Sequence, residues 1–183
     1  MRVAVFGAPG SGKSRLSVAL GDRCGIPVTH LDDIFHLPGW AELDTEEFRR
    51  VVHDLCTEDR WIMDGNYGRV RDIVLARATH VIAFDLPPLV CVWRIVVRTL
   101  GRRLGWRRVT PLPAQVHADG EPFIEAVVFL TRAVMRYRRG HLARILAEVT
   151  QAGIPPAAVV MVQRPGDAGR SVDELAAATE RVV

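Results

Sequence analysis

Eight consecutive residues constrain this chain more than any others: Gly7-Ala8-Pro9-Gly10-Ser11-Gly12-Lys13-Ser14, set directly after the apolar run Arg2–Phe6. They match the pattern G-x-x-x-x-G-K-[S/T] in full. Glycines at this spacing let successive backbone N–H groups turn inward, and a helix starting at the lysine aims its positive end at the same point. Such a cradle suits phosphate oxygens. Lys13 would reach the β- and γ-phosphates and the Ser14 hydroxyl would ligate Mg²⁺. Gly7, Gly10, Ser11, Gly12, Lys13, Ser14 and Arg15 are the expected phosphate-binding residues. Lys13 is also the only lysine, the other 23 of the 24 basic residues being arginine. A compact ammonium threads between phosphates where a wide planar guanidinium does not fit.

Further short apolar runs follow at Val28–Leu31, Trp61–Met63, Val81–Phe84 and Val159–Val162, with helical segments between them. Runs that are apolar throughout read as strands buried on both faces, and crossovers of this length join parallel neighbours. The expected architecture is α/β: a three-layer α/β/α sandwich with a five-stranded parallel sheet. Asp44 with Glu47 resembles a helix cap, followed by an apolar face of Phe48, Val51, Val52 and Leu55. Ser171 and Glu174 form an S-x-x-E box expected to open the last helix. Leu89, Trp93, Val96, Val97, Leu100 and Leu104 make an apolar stripe at helical spacing, expected to be the inner face of its helix.

With 183 residues, 49% of them apolar and 25% charged, the chain is long enough for a full core and is not disordered as a whole. The most apolar stretch, Val81–Val97, is interrupted by Asp85, Pro87, Pro88 and Arg94, so no membrane span or membrane partner is expected. The three cysteines, Cys24, Cys56 and Cys91, are far apart and form no C-x-x-C pair. That spacing argues against a disulfide frame or a zinc site, and a cytoplasmic location fits.

Carboxylates close the second and third apolar runs, in the acidic half of the chain. Trp61-Ile62-Met63-Asp64 ends in a carboxylate suited to a second contact with Mg²⁺, so Ser14 and Asp64 are the expected metal residues, with Asp85 the competitor. Gly65 after Asp64 would leave space for a substrate. The second run ends His30-Leu31-Asp32-Asp33, at the edge where sheets of this kind bind ligands. Strand alternation turns one of the two carboxylates away; Asp32 is the expected one to take a proton from an attacking hydroxyl or hold it in line, with Asp33 the alternative. His30 reads as a packed or surface histidine. Asp32, Phe35, Trp40, Asn66, Tyr67 and Arg69 would line the pocket of a hydroxylated or nucleoside-like small molecule.

Charge is unevenly spread. Ten acids face three bases from His30 to Asp64, whereas eleven arginines face three acids from Leu89 to Arg144. Arg94, Arg98 and Arg102 recur every four residues, and Arg132, Arg136 and Arg139 repeat the stripe on a second helix. Between them, Gly101–Gly120 carries Gly105, Pro111 and Pro113 and reads as a flap. Arginines beside a flap suit phosphoryl transfer, which needs charge neutralised after water is excluded. The competing reading of the same basic lobe is a nucleotide-switched DNA-binding surface that affects DNA topology.

Taken together, these elements resemble the P-loop kinase branch typified by adenylate, shikimate and gluconate kinases. More closely, Gly7–Ser14, His30-Leu31-Asp32, Pro38-Gly39-Trp40, Arg60–Tyr67 and the arginine-rich second half resemble bacterial proteins labelled "topology modulation protein" or adenylate-kinase-like. The resemblance implies a single kinase domain over residues 1–183, monomeric or homodimeric, with an acceptor side near 30–60 and a lid near 101–120. It implies ATP and Mg²⁺ as cofactors and phosphoryl transfer to a small-molecule or nucleotide acceptor. It also implies catalytic roles for Lys13, Asp32, Arg98, Arg102, Arg136 and Arg139, with Arg98 on ATP and the Gln163–Gly166 loop, including Arg164 and Pro165, beside adenine. Two departures from adenylate kinases argue against AMP as acceptor. Their threonine-glycine-aspartate-methionine-leucine-arginine run is here His30–Phe35, and their aspartate-glycine-phenylalanine-proline-arginine run is here Asp64–Gly68, with Arg69 displaced by one.

Overall fold

In the computed structural model, residues 1–37, 41–104 and 123–180 are described, without the side chains of residues 102, 103, 123–126 and 178–180. Trp40, with Pro38 and Gly39, lies outside the described residues, as do residues 105–120 of the expected flap and the side chain of Arg102. No helix among the described residues is long and apolar enough to cross a membrane.

The five apolar runs become five strands: β1 (Arg2–Phe6), β2 (Val28–His30), β3 (Trp61–Asp64), β4 (His80–Phe84) and β5 (Val159–Val162). They form one parallel sheet in the order β2-β3-β1-β4-β5. Val3, Ala4, Val5, Ile62, Val81, Ile82 and Ala83 are fully buried, which is why these strands carry apolar residues on both faces instead of alternating.

The helices are α1 (Lys13–Cys24), α2 (Leu31–Phe35), α3 (Thr45–Cys56), α4 (Arg71–Arg77), α5 (Pro88–Arg103), α6 (Phe123–Arg136), α7 (Leu142–Gln151) and α8 (Asp167–Glu180). A π-helical turn, Tyr137–His141, joins α6 to α7. The chain moves from β1 one way to β2, and from β3 the other way past β1 to β4. Right-handed crossovers therefore place α1 and α4 on opposite faces of the sheet. In keeping with this, α1 packs against α8 while α4 packs against α3 and α7. The reversal of direction between β1 and β3 opens a crevice at their carboxyl ends.

Asp44 caps α3 as the sequence suggests, its Oδ1 accepting from the N–H groups of Glu46 and Glu47 at 2.9 and 3.3 Å. Four expectations need correction. First, β2 stops at His30, and Leu31 already begins α2, because Leu31 and Phe35 one turn apart both turn into the core. Second, the alternation used to turn Asp33 away from Asp32 does not apply, since neighbours on a helix diverge by only a fraction of a turn, and both are exposed. Third, α8 opens at Asp167 rather than at the Ser171 box. The Asp167 carboxylate accepts from the Arg164 N–H at 2.8 Å, and Ser171 donates its hydroxyl to the Asp167 carbonyl.

The fourth correction concerns the inner face of α5. Cys91, Ile95 and Thr99 are buried, while Leu89 and Trp93 of the expected inner stripe are 83% and 69% exposed. The cause lies in the loop beneath. A Cβ on Gly10 would collide with the Cys91 carbonyl and press on Ile95, so α5 seats its Cys91–Ile95–Thr99 face on the loop and turns Leu89 and Trp93 outward.

Candidate functional site

The loop between β1 and α1 takes the cradle conformation. Gly10 and Gly12 have φ of 76° and 97°, in the left-handed region that favours glycine. No side chain caps α1 and no acid lies in its first turn, so its positive end is left for an external anion. Two side chains from other elements hold the loop. Asn66 accepts from the Gly7 N–H at 3.1 Å and donates to the Gly7 carbonyl at 2.5 Å. Arg94, from α5, donates to the Ser11 carbonyl at 2.8 Å.

The strand register brings Asp64 and His30 to the mouth of this cradle, where Lys13 opens α1. Asp64, last in β3, lies beside Val5 of β1 and His30 of β2. Its carboxylate is 3% exposed, with Lys13 Nζ 3.7 Å from Oδ1 and His30 Nδ1 2.8 Å from Oδ2. Burial pushes the Asp64 pKa up, but Lys13 first, then hydrogen bonds from His30 and Ser14, hold it below the usual carboxylate range. The hydrogen bond to Asp64 in turn raises His30 against the opposing effect of burial. Asp64 Oδ1 is buried and accepts no hydrogen bond of normal geometry. An ionised, under-used carboxylate oxygen beside the Ser14 hydroxyl is a donor set that fits a hard divalent cation. Asp85 is placed elsewhere: its N–H bonds to the Val162 carbonyl, and after burial its charge helps push up the Tyr137 hydroxyl.

On the side expected to take an acceptor, Tyr67 donates its hydroxyl to Asp32 Oδ1 at 2.6 Å and lies 3.4 Å from His36 Nε2. Phe35, Phe48 and Tyr67 form a ring cluster with centroids 4.8–5.3 Å apart. Phe35 is only 5% exposed, so it backs the pocket rather than lining it. Asn66, expected on the substrate, is spent on Gly7. The space expected at Gly65 is occupied, since a Cβ there would stand 2.8 Å from Leu31 Cβ. Arg69 pairs with Glu42 at 3.5 Å and stacks over the Phe35 ring at 5.4 Å.

The remaining expected residues are more scattered. Arg15 is exposed on α1, Arg98 is half-buried on α5, and Arg136 and Arg139 are exposed where α6 meets the π turn. Arg164 and Pro165 are exposed in the turn before α8. Sequence reasoning missed two residues of the site, His30 and Arg94. His30 was within reach, because it and Asp64 both end apolar runs in adjacent strands. Arg94 was visible only as one member of an arginine stripe.

No protein-family model and no curated protein sequence matches the chain. Two solved structures share its architecture. One is a shikimate kinase from Bacteroides thetaiotaomicron, with a TM-score of 0.57, 16% identity and 98% of each chain covered. The other is a gluconokinase from Sinorhizobium meliloti 1021, with a TM-score of 0.52 and 16% identity, covering 99% of this chain and 92% of that one. The chain is thus an α/β protein with the P-loop fold that these kinases carry, a five-stranded parallel sheet wrapped by helices.

Proposed function

We propose that the protein is a Mg²⁺- and ATP-dependent kinase that phosphorylates a hydroxyl group of a small molecule. The observation that carries this reading is the convergence of Lys13, Ser14 and the buried, ionised Asp64 at the mouth of an uncapped glycine cradle. Backbone N–H groups of the loop and the start of α1 would bind the phosphate oxygens. Lys13 would balance charge on the γ-phosphoryl group, and Ser14 and Asp64 would hold the metal, which when bound neutralises phosphate charge. His30 orients Asp64 and keeps it ionised. Asp32, pinned by the Tyr67 hydroxyl, would accept the proton of the attacking alcohol. The new bond joins the alcohol oxygen to the γ-phosphorus, the bond to the β,γ-bridging oxygen breaks, and its electron pair leaves on ADP.

Arg98, Arg102, Arg136 and Arg139 would meet the transferring charge from the α5 and α6 side, with Arg164 and Pro165 beside the base. Further likeness to the "topology modulation" proteins rests on the sequence motifs and names no acceptor. The DNA-binding alternative draws on the exposed arginines of α6 and the π turn, and predicts duplex affinity that falls steeply with salt. The kinase reading is tested by ADP release from ATP and Mg²⁺ across a panel of alcohols, with Asp32→Asn as control. An alcohol-dependent rate lost in that variant supports it, and ATP binding with no alcohol-stimulated rate overturns it.

A further inference from the structure

The charge of the acceptor cleft carries an inference about what enters it. The cleft adjoins the metal cluster: α2 begins one residue after His30, and Tyr67 follows Asp64 by three. Charge-assisted pairing with a free arginine or lysine is the strong way to hold an anionic acceptor. Among the described residues, Arg49, Arg69 and Arg71 on this side are each paired within the chain. Arg49 forks onto Asp72 at 3.0 and 2.8 Å. Arg71, 5% exposed, donates to both carboxylate oxygens of Glu148 at 3.2 and 3.1 Å. Arg69 is held by Glu42 and by the face of Phe35.

The acids are not matched in this way. After burial, the negative charges of Asp32, Glu42 and Asp33 all act on the Tyr67 hydroxyl to raise its pKa. Asp32 and Asp33 stand exposed beside that hydroxyl without an arginine partner among the ion pairs of the described residues. An incoming carboxylate or phosphate would therefore meet like charge, which an interface uses to reject wrong partners.

We infer that the acceptor is an alcohol carrying no anionic group, and that a protonated amino alcohol is taken in preference to a neutral polyol. The inference rests on the kinase reading above and adds the substrate class. It separates this chain from the acceptors named for two of the solved structures that share its fold, shikimate and gluconate, both of which are acids.

Matched triplets test it: 3-amino-1,2-propanediol, glycerol and glycerate, then glucosamine, glucose and glucuronate, each read as kcat/KM for ADP release. The amine and the neutral member should exceed the acid by about tenfold or more, the ratio carried by about 1.4 kcal/mol. Glu42→Gln, which releases Arg69, should raise the acid several-fold and leave the neutral member unchanged. An acid equal to or better than its partners overturns the inference while leaving the kinase reading intact. If no alcohol stimulates ADP release, the kinase reading falls, and a pair of nitroxide probes decides the charge of the cleft. Broadening of the Asp32, Asp33, Glu42 and Tyr67 amide resonances should be stronger with 4-amino-TEMPO than with 4-carboxy-TEMPO. Equal broadening, or stronger broadening by the carboxylate, overturns the inference.

Discussion

The two sides of the cleft use the same residue type in opposite ways. On the phosphate side, Arg94 donates to the backbone carbonyl of Ser11 and so adds positive charge beside the loop without cancelling any. On the acceptor side, Arg49, Arg69 and Arg71 each face a carboxylate of the chain, and their charge is neutralised. One side is built to receive an anion, and the other is already balanced or negative. Net charge, only +3 overall, conceals this division because it averages the two. Under the proposed kinase reading the division has a use: the anionic phosphoryl donor and an acceptor without anionic groups are directed to different halves of one cleft.

The largest test of this comparison removes the partner of the buried arginine. Glu148→Ala leaves Arg71 charged and buried without its bidentate acceptor, and chemical denaturation should show a loss of about 3 kcal/mol. A loss as small as that of an exposed pair would mean that Arg71 is not held as the acceptor-side account requires. The next test breaks the pin on the other side. Asn66→Ala strips both hydrogen bonds from Gly7, at a cost of about 2 kcal/mol, and should weaken ATP binding by calorimetry in step. Unchanged ATP affinity would show that the loop holds its cradle without Asn66.

The smallest effect is a pH dependence where the two sides meet. His30 is raised in the fold, so its contribution to stability is complete below the unfolded value of about 6.5 and is lost as pH rises through the raised folded value. Asp64 is lowered, so its contribution is complete above the unfolded value of about 3.9 and is lost as pH falls through the lower folded value. Thermal unfolding of the wild type minus His30→Gln should therefore show its greatest difference on the acid side of neutrality, shrinking as the solution becomes alkaline. A difference that grows with pH would contradict the hydrogen-bonded pair.

The two sides also differ in how far the sequence reveals them. The phosphate side was readable because its motif is contiguous: eight residues in a row set the glycines, the lysine and the hydroxyl by backbone geometry alone. The strands could be read for a similar reason, being short runs rich in apolar residues, with β1, β3 and β4 buried on both faces. The supports of the loop and the pairings of the acceptor side depend instead on contacts between residues far apart in the chain. Nothing in the spacing of Asn66 shows that its amide turns back 59 residues to Gly7, or that Glu148 reaches Arg71 across 77. The α5 face was misjudged for the opposite reason. Its apolar stripe is a genuine helical pattern, but the close approach at Gly10 admits only Cys91 and Ile95, and periodicity carries no information about which face a loop will accept.

The central claim, that this cradle moves the γ-phosphoryl group and that Lys13 is the charge which does so, is tested most directly by Lys13→Arg. The substitution keeps the net charge and should leave the fold intact by circular dichroism. ³¹P NMR of wild-type protein with ATP, Mg²⁺ and an accepted alcohol should show a phosphomonoester growing with ADP, slowed by about 10³-fold in the variant. A near-normal rate in Lys13→Arg would contradict the account.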